Sequence, residues 1–297
     1  MASLITIFRE MPDPRSGNAR RPDLLDILSI ALVASVCGAE SCVDFAEFAE
    51  DREDLLREFL RLENGLPSHD TFSRIFRMLD PAAFGQAFEA FLGDIGADGT
   101  GVLTIDGKTL RRSFDRAAER SPLHVVTAFG ADARLSFGQR AVAPGENEIT
   151  AARALLATLT LDGALVTGDA LHARAETAQL VLERGGNYLF ALKANRPAMR
   201  QAVEAFFAAP PEALDCFETT DAGHGRIENS LHWVLDVTFD EDAARNCKDN
   251  GPENLATLRG ITLNLLQTAR PKLPISRKRK RAGWSDDFAK SIIGQMR

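Results

Sequence analysis

Two aspartates in the 297-residue sequence stand where α/β proteins place their chemistry. Asp106 ends the short apolar run that begins at Val102, and Asp169 follows the run Ala164–Val166 by way of Thr167 and Gly168. If those runs are strands, both acids emerge at carboxyl ends, where open α/β sheets bind their ligands. Gly107 and Gly168 allow close backbone approach there. Two carboxylates brought together raise each other's pKa unless a cation neutralises them. Magnesium suits such a setting, because it takes hard oxygen ligands from few protein groups and leaves the rest to water and phosphate. A pair of such ions roughly 3.5–4 Å apart activates the attacking oxygen and stabilises the leaving one in phosphodiester chemistry. A third acid from a helix would complete the set. Glu228 is the candidate, since it adjoins the stripe Ile227, Leu231, Val234 and Leu235, whose helical spacing predicts packing on the sheet. On spacing alone each strand-end aspartate also reads as a simple turn former.

Other side chains have two readings each. Lys108, beside Asp106, and Lys193, at the end of the last strand run, would contact phosphate as point charges or stand as solvated turn lysines. His124 and His172 read as isolated structural histidines. His232 and Trp233 read as packing for the last helices, with base stacking by the indole as the less favoured alternative.

The elements that must hold these residues change character along the chain. Residues 1–22 are rich in turn formers and carry a small basic arm of Arg15, Arg20 and Arg21. Helices are predicted over about Leu24–Cys37 and Cys42–Leu62, then from the N-cap Ser68 through Phe72, Ile75, Phe76 and Leu79, then around Phe84, Phe88 and Phe91. Arg74 and Arg77 lie off the apolar stripe, so this helical unit could touch DNA, although a bundle that binds nothing is favoured. After Gly101 strands are predicted at 102–106, 124–129, 135–142, 164–166 and 188–192. Helices are interleaved at 148–159, 173–183 and 197–207, which makes an α/β unit with a mixed sheet. Residues 210–225 read as a loop, and further helices follow from Ile227 and from Leu255 to Leu266.

The chain carries a net charge of −7, which by itself argues against a general nucleic-acid binder. The distribution is uneven. Residues 245–297 hold 12 Lys/Arg against 4 Asp/Glu, so an acidic body ends in a basic tail. Such asymmetry fits contact with nucleic acid and fits a solvated tail equally well. The four cysteines form no CxxC pair and read as reduced thiols. The N-terminal stretch lacks the marks of a signal peptide, and the most apolar segment is too short for a span, so a cytoplasmic protein with no membrane partner is expected.

The motifs also resemble one family. Matching the bacterial insertion-sequence transposases of the H-repeat-associated type are MPDPRSGNARRPDLLDIL at 11–28, GLPSHDTFSRIFRMLDP at 65–81 and TIDGKTLRRS at 104–113. So are ENEITAARALLATLTLDGALVTGDALH at 146–172, NYLFALKANRP at 187–197, GHGRIE at 223–228, IENSLHWVLDVTFDED at 227–242 and PENLATLRGITLNLL at 252–266. The resemblance implies a DDE catalytic domain of RNase H-like fold, a mixed sheet flanked by helices, over 98–268. An all-helical transposase-associated domain precedes it over 1–97, and a basic tail follows at 269–297. It implies Asp106, Asp169 and Glu228 as the acids for two Mg²⁺ or Mn²⁺ ions. Metal-dependent strand cleavage and strand transfer on double-stranded DNA would follow, in a homodimer within the bacterial nucleoid. Lys108, Arg111, Arg112, Lys193, Arg277, Lys278, Arg279, Lys280 and Arg281 are the expected DNA contacts. A general RNase H-like nuclease or resolvase is the weaker alternative. In one place the pattern breaks: GHGRIE and IENSLHW, separate motifs in the family, are fused here and share Ile227 and Glu228. An internal deletion near 210–228 is therefore expected. It raises a second reading, a remnant that keeps the fold, with or without its DNA contacts, but not the chemistry.

Overall fold

A computed structural model describes residues 4–94, 101–115, 119–194, 196–208, 231–244 and 247–294. The helical half contains α1 (Leu4–Glu10), α2 (Leu24–Cys37), α3 (Cys42–Asp51), α4 (Glu53–Arg57), α5 (His69–Met78) and α6 (Pro81–Asp94). The single helix expected over Cys42–Leu62 is two, because the backbone leaves helical geometry at Arg52 (φ −124°, ψ 30°). Their starts are legible locally. Ser41 accepts from the Asp44 N–H while Asp44 accepts from the Ser41 N–H, a capping box, and Ser68 accepts from Thr71. Every residue of α2 except Leu25 and Cys37 is buried, so its long apolar run is a core helix. Among the described residues no single helix is long and apolar enough to cross a membrane.

The sheet comprises β1 (Gly101–Thr109), β2 (His124–Gly130), β3 (Leu135–Ala141), β4 (Ala164–Gly168) and β5 (Asn187–Phe190), in the order β3-β2-β1-β4-β5. β1, β2 and β3 are antiparallel neighbours, and β4 and β5 add in parallel to β1. Helices α7 (Glu148–Thr158), α8 (Ala175–Glu183) and α9 (Pro197–Ala208) are interleaved with them. This is the mixed sheet flanked by helices of an RNase H-like fold. The strand expected at 188–192 runs instead over Asn187–Phe190.

The chain then returns through α10 (Trp233–Thr238) to α11 (Gly251–Thr268), which is buried along nearly its whole length and joins the two halves. Asn254 Nδ2 donates to the Phe76 and Leu79 carbonyls at 2.8 and 3.1 Å, closing the end of α5. On its other side Asn264 accepts from Ser136 N at 2.9 Å and donates to Ser136 O at 2.8 Å. A register shift between Ala128 and Phe129 interrupts the β2–β3 ladder beside Ser136, and this amide pairs the backbone there. One apolar core runs from Leu4 in α1 through the sheet to Ile293.

The segment expected as a basic tail is two further helices, α12 (Ile275–Trp284) and α13 (Asp286–Ile293), packed on α2. Lys278, 2% exposed, donates to the Leu266 and Ala269 carbonyls at 2.6 and 2.7 Å, capping α11. Arg279, 5% exposed, donates to the Ser35 and Ala39 carbonyls at 3.0 Å and to the Thr238 carbonyl. Its guanidinium lies 4.3 Å over the Phe239 ring. Both were expected on DNA, and both point into the protein, because helix-end carbonyls claim their donors.

Candidate functional site

The two aspartates come together as their spacing requires. β1 and β4 are parallel neighbours with Thr104 opposite Thr167, and those two hydroxyls hydrogen-bond at 3.0 Å. Two residues further along each chain, Asp106 and Asp169 stand side by side on the same face as the two threonines. Each has one oxygen held by the backbone. Gly107 N donates to Asp106 Oδ1 at 3.0 Å, and Leu171 N donates to Asp169 Oδ1 at 2.8 Å. Burial pushes the Asp106 carboxyl above its usual range, and the charges of Glu148 and Asp169 push it the same way against His232 and the Gly107 N–H.

The chain after residue 230 meets β1 here. His232 Nδ1 lies 3.7 Å from Asp106 Oδ2, and its Nε2 is buried without a hydrogen-bond partner. Burial holds the imidazole pKa below its usual value. Trp233, read beforehand with His232 as core packing, is 56% exposed, so the two neighbours have opposite environments. Lys108 fastens the same segment. Its ammonium donates to the carboxylate of Asp236 and to Glu241 Oε2 at 2.9 Å, with Asp242 Oδ1 at 3.9 Å. Glu241, 4% exposed, also faces Arg259 at 3.7 Å. These carboxylates raise the Lys108 pKa against the effect of burial. Lys108 is therefore a docking residue between β1 and α10, and its charge is not free for phosphate as expected from the sequence.

The remaining expected contacts divide. Arg111, Arg112, Lys193, Arg277, Lys280 and Arg281 are exposed. Arg111 Nε lies 3.4 Å from Asp242, and the Arg281 guanidinium lies 4.6 Å over Phe288. Glu228 lies outside the described residues, as do residues 223–230 of the fused motif and the loop read over 210–225. Among the described residues no group of three or more His, Cys, Asp or Glu side chains is arranged to hold a metal. The two aspartates alone supply hard carboxylate oxygens from adjacent strands, the donor chemistry that suits Mg²⁺ or Mn²⁺.

Sequence reasoning missed a second constellation. His124 and His172, taken as isolated, share Glu148: His124 Nε2 is 2.6 Å from Oε2 and His172 Nε2 is 3.2 Å from Oε1. Nothing in their spacing signals this, since the three residues sit on β2, on α7 and in the turn after β4. The acidic residues that hold Lys108, Asp236, Glu241 and Asp242, lie close together in the sequence, a local signal that could have found them.

Comparison with known proteins adds ancestry to this geometry. The model of the transposase DDE domain matches residues 97–265, and that of the DDE transposase-associated region matches residues 5–92. An uncharacterized protein in the dhlA 3′ region of Xanthobacter autotrophicus is 40% identical over 234 residues, covering 77% of this chain and 79% of that one. The H repeat-associated protein YhhI of Escherichia coli (strain K12), named as a transposase, is 36% identical over 232 residues, 76% of this chain and 61% of its own length. A third relative, YncI of Escherichia coli O157:H7, also named as a transposase, is 26% identical over an alignment of 368 residues that takes in 98% of this chain and 94% of YncI. That alignment is longer than the chain itself, so tens of residues of YncI have no counterpart here. With its associated helical region in front and its DDE domain over the sheet that carries Asp106 and Asp169, the chain belongs to the DDE transposase family.

Proposed function

We propose that the protein cleaves and joins DNA strands at the ends of an insertion sequence, using Asp106, Asp169 and Glu228 with divalent metal. The observation that carries this reading is the side-by-side placement of Asp106, inside β1, and Asp169, just past the end of its parallel neighbour β4, in a chain of this family. Glu228 precedes His232 by four residues, one turn of helix, and His232 already faces Asp106. Bound Mg²⁺ or Mn²⁺ would supply charge stabilisation for in-line displacement at phosphorus. The chain's own share is position. The Gly107 and Leu171 N–H groups orient one oxygen of each aspartate, and Lys108 holds α10 against β1 through Asp236 and Glu241. Exposed Arg111, Arg112, Lys193, Arg277, Lys280 and Arg281 are the proposed contacts to duplex phosphates. Holding two ends together would require a second copy of the chain.

A second reading is favoured by specific observations. The fused GHGRIENSLHW motif supports an internal loss beside Glu228, and the unmatched residues of YncI are consistent with a loss somewhere in the chain. On this reading the chain is a remnant that folds and binds DNA without cutting it. A nicking assay separates the two. Labelled DNA spanning the element's ends, incubated with Mg²⁺ or Mn²⁺, should be cut at the boundary by the parent protein and left intact by Asp106→Ala. Intact DNA with the folded, DNA-bound parent protein would establish the remnant.

A further inference from the structure

Two of the motifs quoted above converge at one point that the three-acid scheme does not use. Gly107 belongs to TIDGKTLRRS, and Glu148 and His172 stand at opposite ends of the motif at 146–172. Glu148 opens α7, whose N-cap Asn147 accepts from Thr150 N at 2.9 Å. The helix thus aims its first turn at the back of β1, where its dipole favours a carboxylate. The two oxygens of Glu148 divide between two strands' worth of structure. Oε2 takes the imidazole of His124, at the start of β2, and Oε1 faces that of His172, in the turn that begins at Asp169. A carboxylate can only accept, so His124 donates its Nε2–H to Oε2, while His172 Nε2 stands at ion-pair distance from Oε1 with neither ring nitrogen hydrogen-bonded. The tautomer of His124 is then fixed from the other side by Thr109 Oγ1, 2.8 Å from Nδ1. His172 is 1% exposed, and its own N–H donates to the Asp169 carbonyl at 3.1 Å.

We propose, resting on the metal-dependent reading above, that Glu148 is a positioning residue: its carboxylate ties His124 and His172 together behind β1 and so sets the separation of Asp106 and Asp169. The strand between the two histidines is β1 itself, and the residue passing Glu148 is Gly107, next to Asp106. A Cβ on Gly107 would stand 2.3 Å from Glu148 Oε2 and 2.6 Å from His124 Nε2, so only glycine lets the carboxylate sit there. The clamp therefore reaches Asp106 through its neighbour and Asp169 through the His172 turn. Strand alternation turns the Asp106 side chain away from the face of Gly107 and Glu148, so Glu148 is not among the proposed metal ligands, although its charge acts on the Asp106 carboxyl from behind the strand.

The test uses the full chain in four forms: parent, Asp106→Asn, Glu148→Gln and His124→Gln. Mn²⁺ uptake is read from the loss of the free-ion EPR signal, folding from thermal melting in chelator, and DNA affinity from a filter assay. Loss of an outer partner that orients metal ligands weakens metal binding by about 10–100-fold. Glu148→Gln should hold Mn²⁺ at least about tenfold more weakly than the parent, while DNA affinity stays unchanged. His124→Gln, at a half-exposed position, should move the same way by less, and it carries the test if Glu148→Gln does not fold. Parental Mn²⁺ affinity in both folded variants, with Asp106→Asn impaired, would overturn the clamp and leave the metal reading standing. Parent protein that takes up no more Mn²⁺ than Asp106→Asn would sink the metal reading and the clamp with it.

Discussion

At the scale of the residue, the site is a set of charges that offset one another. Lys108 is 12% exposed and faces three carboxylates, one of them the buried Glu241. Removing one partner of a buried ion pair leaves the other charge uncompensated, at a cost of about 3–5 kcal/mol. Lys108→Ala should lose stability on that scale in urea titrations, and a loss below 1 kcal/mol would show that water already screens the cluster. The pH dependence follows from the same contacts. A lysine whose folded pKa is raised contributes stability that is complete below its unfolded value and lost as pH rises through the folded one. Asp106 makes the opposite demand at neutral pH. Its folded pKa is also raised, so its favourable contribution belongs to acid pH and is gone once the carboxyl ionises. Asp106→Asn should therefore melt higher than the parent by about 1–3 °C in metal-free buffer at neutral pH. Added Mn²⁺ should raise the parent's melting temperature and leave the variant's unchanged. A variant that melts lower than the parent in chelator would remove the argument that Asp106 sits under electrostatic stress.

At the scale of the element, the sequence was readable where a side chain serves its own helix or strand and opaque where it serves another. Ser41 and Ser68 announced their helices because capping is local. Asp106 and Asp169 were legible as neighbours because each follows an apolar run that becomes a strand, and β1 and β4 pair in parallel, although β1 runs on past Asp106 to Thr109. Glu148 gave no sign, since its partners come from elements 24 residues away in each direction. Charge misled most in the last stretch. Seven basic residues between Arg270 and Arg281 read as one surface, yet the structure sends Lys278 and Arg279 inward to helix-end carbonyls. The split predicts two classes of variant. Lys278→Ala and Arg279→Ala should lower stability by about 1–3 kcal/mol each through unpaired buried carbonyls, without a specific effect on DNA. Arg277, Lys280 and Arg281 changed together to Ala should leave melting nearly unchanged. Their salt slope for DNA binding should fall by about 2–3. Equal slopes for parent and triple variant would take α12 out of the DNA interface.

At the scale of the whole molecule, the sheet edge farthest from β3 differs from the rest of the surface. β5 ends the sheet, and its Tyr188 and Leu189 are 44% and 64% exposed. Helix α9, which follows it, has no buried residue, although Met199, Val203, Phe206 and Phe207 are carried on it. A bare strand edge beside exposed aromatics is a place where chains associate. The segment after α9 leads into the fused motif, so an internal loss there would account for the exposed apolar side chains on this side among the described residues. The core that binds α11 to the helical half does not involve α9, and stability should be indifferent to its surface. Phe206→Lys with Phe207→Lys is therefore expected to leave the melting temperature within about 1 °C of the parent. Light scattering over a concentration series should show self-association in the parent and much less in the variant. A parent that stays monomeric throughout would mean that α9 is covered by the chain itself, and the case for a bared edge would fail. A variant that melts several degrees lower would mean the same from the side of stability, because two exposed phenylalanines cannot hold a fold together.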